Sequence, residues 1–248
     1  MKTDIMGVRF DNTTMADALD RAEAVIAAGT PGYCVTPNPE IVYEAMRDES
    51  FRGLLNGAVL VLPDGVGVLL GAKILGTPLR EKITGVDFAD ALAGRLAESG
   101  RSLYLLGSKP GVAAEAAKRL AEKHPGLVIA GTADGYFRDE AAAVEAVRAA
   151  KPAALYVGLG SPKQENFMAS HLGELGVPFL IGVGGSFDAF AGTVKRAPAW
   201  VCRIGMEWFY RLLKEPKRFR RMLRLPKFVF AVIGRRLRGK SDGKADRA

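Results

Sequence analysis

Short apolar runs rich in Val, Leu, Ile and Tyr recur along the chain, each followed by a stretch in which apolar residues return every three or four positions. This alternation predicts an α/β fold with a largely parallel sheet flanked by helices, because a helix must carry the chain back before the next parallel strand can start. Strands are predicted near residues 5–10, 32–36, 58–62, 102–106, 127–131, 153–157 and 178–183. Between them, Met15, Leu19, Ala22, Val25 and Ile26 make one helix face, Ile41, Val42, Ala45 and Met46 a second, and Val112, Ala116, Leu120 and Ala121 a third. Such apolar faces need a sheet to cover. In the second half the strand starts are 25 or 26 residues apart, a regular βα unit that predicts a Rossmann-like half-sheet.

Two segments depart from this rhythm. Residues 54–75 are apolar enough to suggest a membrane span, but Pro63, Asp64 and four glycines interrupt them, so a buried strand and a glycine-rich turn are expected instead. From residue 203 to 225, Ile204, Trp208, Phe209, Leu212, Leu213, Phe219, Met222 and Leu223 repeat at helical intervals with Arg and Lys between them. That pattern predicts a basic amphipathic helix, or two separated near Pro216. The apolar run at 228–233 is too short to span a bilayer and suits its interface. Residues 239–248 read as disordered.

Charge sharpens the division. Residues 195–248 carry 17 basic and 4 acidic side chains, a net +13, whereas residues 1–194 carry 18 basic and 23 acidic, a net −5. A mildly acidic body with a strongly basic tail implies a polyanionic partner, nucleic acid or an anionic membrane surface. The expected division is an α/β domain over residues 1–195 and a basic membrane-associating appendage over 196–248 with a disordered end.

With 248 residues, 48% of them hydrophobic, the chain can bury a sizeable core without disulfides or a structural metal. Cys34 and Cys202 lie far apart, and His124 and His171 stand alone, which argues against a zinc site and for a reducing compartment. The first ten residues lack the apolar core of a secretion signal.

Ligands of parallel α/β proteins sit at loops that follow the carboxyl ends of strands, and five such loops carry candidate chemistry. Thr36-Pro37-Asn38-Pro39-Glu40 holds a hydroxyl and an amide in a stiff turn, although Asn38 also reads as a helix cap. Pro63-Asp64-Gly65 is a common turn, yet a carboxylate at a strand end between apolar walls is also suited to proton abstraction. Gly158-Leu159-Gly160-Ser161-Pro162-Lys163-Gln164-Glu165 allows close approach of backbone to a ligand, with Ser161 as a cap and an anion site at the helix start facing Lys163 and Gln164. Gly182-Val183-Gly184-Gly185-Ser186-Phe187-Asp188 offers Asp188 to a ribose hydroxyl, and Tyr136 after Asp134-Gly135 can stack on a base. No Asp-x-Asp, no nucleophile elbow and no G-x-G-x-x-G is present. A nicotinamide-dependent oxidoreductase is thereby disfavoured. A nucleic-acid module is disfavoured too, because the tail's aromatics lie on an apolar helix face rather than forming a stacking platform.

The order and spacing of Thr36-Pro37-Asn38, Pro63-Asp64-Gly65, Thr84-Gly85-Val86-Asp87, the loop at 158–165 and Val183-Gly184-Gly185-Ser186-Phe187-Asp188 continue with Ala191-Gly192 and Arg196-Ala197-Pro198. Glu207-Trp208, Arg211-Leu212 and Glu215-Pro216 follow. Together they resemble the WecG/TagA/CpsF family of bacterial glycosyltransferases over residues 1 to about 225. The resemblance implies an inverting, metal-independent and cofactor-free enzyme that moves N-acetylmannosamine from a UDP donor to the 4-hydroxyl of GlcNAc on undecaprenyl diphosphate, in teichoic acid or related polymer synthesis. It implies Asp64 as general base, Thr36 and Asn38 beside it, and Gln164 in contact with substrate. Substrate-binding roles fall on Asp87, Tyr136, Gly158, Gly160, Lys163, Gly184, Gly185 and Asp188. Arg211, Arg218 and Arg221 of the appendage would reach the site from the membrane. Where the family often has Arg before the Thr-Gly-x-Asp stretch, this chain has Lys82, which can neutralise a diphosphate but cannot bind it bidentately. UDP-N-acetylmannosaminuronic acid is the alternative donor within the family. The implied location is the inner face of the cell membrane, peripherally bound, with a homo-oligomer possible and nucleic acid not a partner.

Overall fold

Six parallel strands form the centre of the protein in a computed structural model that describes residues 1–194, 197–198, 201, 209–210 and 224–245. The chain opens with β1 (Lys2–Ile5) and β2 (Val8–Asp11), an antiparallel pair outside the main sheet. The single strand predicted over 5–10 is therefore corrected to a hairpin. Met6 and Gly7 turn the chain with φ of 56° and 91°, and Ile5, Val8 and Phe10 are all buried. An apolar count cannot distinguish such a hairpin from one strand.

There follow α1 (Met15–Ala28), β3 (Gly32–Val35), α2 (Pro39–Ala45), α3 (Glu49–Gly57), β4 (Leu60–Val61), α4 (Val66–Leu75) and α5 (Gly85–Glu98). The second half runs β5 (Ser102–Gly107), α6 (Val112–Lys123), β6 (Val128–Ala133), α7 (Glu140–Ala150), β7 (Ala154–Gly158), α8 (Lys163–Ser170), α9 (Leu172–Leu175), β8 (Phe179–Gly182) and α10 (Ser186–Phe190). Strand order in the sheet is β4-β3-β8-β7-β5-β6. The apolar stretch 54–75 thus divides among the end of α3, the two-residue β4, a turn and α4, and among the described residues no helix is long and apolar enough to cross a membrane.

Five of the six strands are buried on both faces, as parallel strands between helix layers must be, whereas the edge strand β6 is partly exposed along its length. Along β7, Leu155 and Val157 join the core beneath α2, α3, α7 and α8, while Ala154 and Tyr156 join the core beneath α1, α5, α6 and α10.

The last described element, α11 (Arg224–Ala245), lies against α2 and α4. Most of the amphipathic helix predicted over 203–225 falls outside the described residues. The run at 228–233, expected in a membrane interface, is split instead: Phe228 and Val232 are fully buried, whereas Phe230 is 73% and the nearby Leu237 62% exposed. Gly71 makes the inner contact possible, since a Cβ there would come within 3.0 Å of the Phe228 ring. Ion pairs of Arg224 with Glu40 (3.4 Å) and Glu44 (2.9 Å), and of Arg235 with Asp4 (3.3 Å), flank the contact. The helix continues to Ala245, past the point where the sequence reads as disordered.

Candidate active site

All six parallel strands end on one edge, and that edge gathers the candidate loops. The chain leaves β5 toward β6 on one side and β7 toward β8 on the other, with α6 and α8 on opposite faces. Reversal of direction opens a crevice between the two strand ends, the usual ligand position in a doubly wound sheet. A cavity of about 580 Å3 lies there. Its walls are Ser108 and Lys109 after β5, Gly135, Tyr136 and Phe137 after β6, and Gly158, Leu159 and Lys163 after β7. Backbone bonds join the three loops, from Ser108 N to Gly158 O (2.8 Å) and from Gly135 N to Ser108 O (2.8 Å). At Gly107, with φ of 138°, any Cβ would run into the Gly158 backbone. Lys163 Nζ stands 4.9 Å above the Phe137 ring, and Tyr136 is 67% exposed. Asp188 is reached through Ser108, whose Oγ lies 3.5 Å from its Oδ2, while Thr193 Oγ1 donates to its backbone oxygen at 3.0 Å.

The other end of the edge is built around Asp64. Asn38 caps α2, its Oδ1 accepting from Ile41 N at 3.0 Å. Pro37 O accepts from Asp64 N (3.3 Å), and Pro63 O accepts from Ile83 N (3.0 Å), so the loops after β3 and β4 and the start of α5 are knitted together. The half-buried Asp64 carboxylate accepts from Gly85 N at 3.2 Å. Thr84 caps α5, and its hydroxyl is 2.5 Å from Asp87 Oδ2, which places Asp87 in the capping arrangement. Gly85 is required here: a Cβ would sit 2.8 Å from Thr36 Oγ1. Lys82 is half-buried beside this cluster, while its neighbours face α1, Glu81 accepting from Met15 N (2.8 Å) and Arg80 pairing with Asp17 (3.3 Å).

Between the two ends lies Gln164, 5% exposed. Its Oε1 accepts from Gly184 N (2.9 Å) and its Nε2 donates to Glu165 Oε1 (2.9 Å), so the side chain ties the start of α8 to the turn after β8. Ser161 does not cap α8. Pro162 occupies the cap position and the Ser161 hydroxyl is buried without a partner. Glu165 is 2% exposed, and burial pushes its carboxyl above the usual range, with Glu44 adding to the effect. Gly160 and Gly184 take positive φ, 76° and 53°, and Gly185 starts α10.

Arg211, Arg218 and Arg221 lie outside the described residues. Sequence reasoning missed Ser108 and Lys109. Their Gly107-Ser108-Lys109-Pro110-Gly111 loop follows a parallel strand and carried the same signal as the five loops singled out. His124 pairs with Asp90 and His171 with Glu140 and Glu174. Among the described residues no group of three or more His, Cys, Asp or Glu side chains could hold a metal ion.

A parallel sheet thus presents a cavity at its switch point and an oriented carboxylate at the same edge, where ligands of doubly wound folds bind. The sequence profile of the Glycosyl transferase WecG/TagA/CpsF family matches residues 3–242, and the chain belongs to that family and is a glycosyltransferase. It is 39% identical over 201 residues to a Bacillus spizizenii protein, covering 81% of this chain and 78% of the relative. Identity to a Bacillus subtilis protein is 33% (92% and 90% covered), and to a Staphylococcus aureus protein 32% (93% and 92%). Each of the three is named N-acetylglucosaminyldiphosphoundecaprenol N-acetyl-beta-D-mannosaminyltransferase.

Proposed function

We propose that the protein transfers N-acetylmannosamine from UDP-N-acetylmannosamine to the 4-hydroxyl of GlcNAc on undecaprenyl diphosphate, in teichoic acid or related cell-surface polymer synthesis. The reaction inverts the anomeric centre and uses no metal. The observation that carries this reading is the row of loops along one sheet edge, with a cation-bearing cavity at one end and a backbone-oriented carboxylate at the other. The relatives' names supply the sugar and the acceptor.

In this reading UDP occupies the cavity, with Tyr136 against the base, Asp188 toward the ribose and Lys163 and Lys109 near the diphosphate. The acceptor hydroxyl oxygen attacks the anomeric carbon from the opposite face as its proton passes to Asp64. The bond to UDP breaks, and its electron pair leaves on the diphosphate oxygen, where cations stabilise the charge that develops. Thr36 and Asn38 shape the acceptor side, and Lys82 adds a charge there. Arg211, Arg218 and Arg221 complete the site when residues 196–248 meet an anionic leaflet on the inner face of the membrane. The exposed Phe230 and Leu237 with the basic residues of α11 support that surface.

The test is UDP release from UDP-N-acetylmannosamine with a lipid-linked GlcNAc diphosphate acceptor in EDTA, native protein against Asp64→Asn. Acceptor-dependent release that collapses in the variant is expected. Release that needs a divalent cation overturns metal independence, and release untouched by the substitution removes Asp64 from the mechanism.

A further inference from the structure

Two buried side-chain polar atoms among the described residues have no hydrogen-bond partner, and both belong to the first turn around α8: Ser161 Oγ and Glu165 Oε2. Burying such atoms costs stability, so a pair of them calls for an explanation. The first oxygen of the same carboxyl is occupied. Glu165 Oε1 accepts from Gln164 Nε2 at 2.9 Å, and Gln164 Oε1 accepts from Gly184 N at 2.9 Å. A Cβ on Gly182 would lie 2.7 Å from Gln164 Nε2, so the amide fills its space tightly.

We propose that Glu165 is a positioning residue for the donor cavity: it fixes the Gln164 amide that ties the loop after β7 to the turn after β8. The inference rests on the proposed donor site, since Gly158, Leu159 and Lys163 of that loop wall the cavity and Asp188 follows the turn. An acceptor at Glu165 dictates which way the Gln164 amide points. With the amide reversed, its oxygen would face the carboxyl and its NH2 would face the Gly184 N–H, and both bonds would be lost.

In either protonation state Oε1 stays an acceptor for Gln164, and a bond between Oε2 and the Ser161 hydroxyl satisfies both orphan atoms, the carboxyl donating when neutral and Ser161 donating when it is ionised. Burial foremost raises the carboxyl's pKa and Glu44 on α2 adds to it, while hydrogen bonds from Gln164, the Glu165 backbone and Ser161 oppose the shift. Among the described residues, the cations of the flanking elements face other groups. Arg224 on α11 pairs with Glu44 and Glu40, Arg52 on α3 with Glu49, and Lys163 stands over Phe137. Asp48 is held as the cap of α3. Strands β3, β7 and β8 bring no Asp, Glu, Lys, Arg or His to the site.

The test compares native protein, Glu165→Gln and Glu165→Leu by amide hydrogen exchange at Gly184 and by the KM of donor and acceptor across a pH series. Gln presents the same acceptor to Gln164 and a permanent donor to Ser161. It is expected to keep Gly184 protected and to hold donor KM within about twofold of native across the pH series. Leu is expected to speed exchange at Gly184 and to raise donor KM about tenfold while acceptor KM stays put. A folded Leu variant with native exchange and native donor KM overturns the proposal. A Gln variant that loses Gly184 protection overturns it too, and this arm decides the matter if the Leu variant fails to fold. UDP titration of the native protein separates the two levels: no UDP binding removes the donor reading, while the exchange arm still reports on the latch itself.

Discussion

At the β5–β7 end of the sheet edge the site is a cavity open to solvent, whereas at the β3–β4 end Asp64 lies among helices that a distant segment holds in place. The cavity walls come from three loops between residues 108 and 163, joined by backbone bonds across the sheet edge. The Asp64 end depends on α11. Arg224 bonds Glu40 and Glu44 of α2, and Phe228 and Val232 pack on α4. Those two helices begin just after the loops that carry Asn38 and Asp64. The walls of the cavity are thus joined to one another within the second half of the sheet, whereas the helices beside Asp64 are also braced by the far C-terminal helix. A change in α11 should reach Asp64 before it reaches the cavity.

The largest effect that tests this separation is at Asp64 itself. Asp64→Asn keeps shape and the acceptor for Gly85 N but loses basicity, and a general base is worth about 10^2–10^4 in rate. Turnover is expected to fall by that order while UDP affinity, read by calorimetry, stays native. An equal loss of UDP binding would show that the two ends are one site.

Next comes the contrast within α11. Phe228→Ala empties a fully buried position, and such truncations cost about 3–5 kcal/mol. Phe230→Ala removes an exposed ring and should change stability by about 0.5 kcal/mol or less. Thermal melting checks both, and vesicle flotation should invert the order, with Phe230→Ala weakening binding to anionic vesicles. Removing residues 196–248 uncovers the Phe228 site, so the truncated body should melt lower than the intact protein.

Smaller still is the contribution of a single cation at the cavity. Lys163→Ala is expected to raise donor KM about tenfold, the scale of one charge-assisted contact to phosphate, with little change in acceptor KM. Initial-rate measurements with each substrate varied in turn decide it. A change confined to acceptor KM would move Lys163 to the other end.

Much of this was legible in the sequence because parallel strands buried on both faces advertise themselves as apolar runs, and all six predicted parallel strands are present within a few residues of their expected places. Thr36, Asn38 and Asp64 were singled out because prolines and glycines mark the turns that follow β3 and β4, and the structure brings those turns together. Three things were hidden. The hairpin at Met6-Gly7 turns without any of the usual turn residues but one. Inward docking of Phe228 depends on Gly71, 157 positions earlier, and no local period encodes such a contact. Gln164 is a polar residue after a glycine-rich loop, which reads as a substrate ligand, and only the Gly184 amide in the turn after β8 reveals its bridging bond.

The smallest effect tests whether the cavity is independent of the far end of its own helix. His171, at the end of α8, lies 2.8 Å from Glu140 and 3.0 Å from Glu174. Glu140 foremost, opposed by partial burial and aided by Glu174, raises its pKa. A raised folded value means that the native state holds the proton more tightly than the unfolded chain, whose value is about 6.5. The stabilisation is fully present below that pH and is lost as pH rises through the folded value. His171→Gln should therefore melt below the native protein at pH 6 and alongside it at pH 9. The gap should be about 1 kcal/mol or less, because both glutamates are half-exposed and screened. Phe167 packs against both His171 (5.0 Å) and Phe137 of the cavity wall (6.2 Å). If donor KM follows the same pH course as stability, that row of rings transmits the titration to the cavity and the donor end is less self-contained than its backbone suggests. A donor KM indifferent to His171→Gln leaves the separation of the two ends standing.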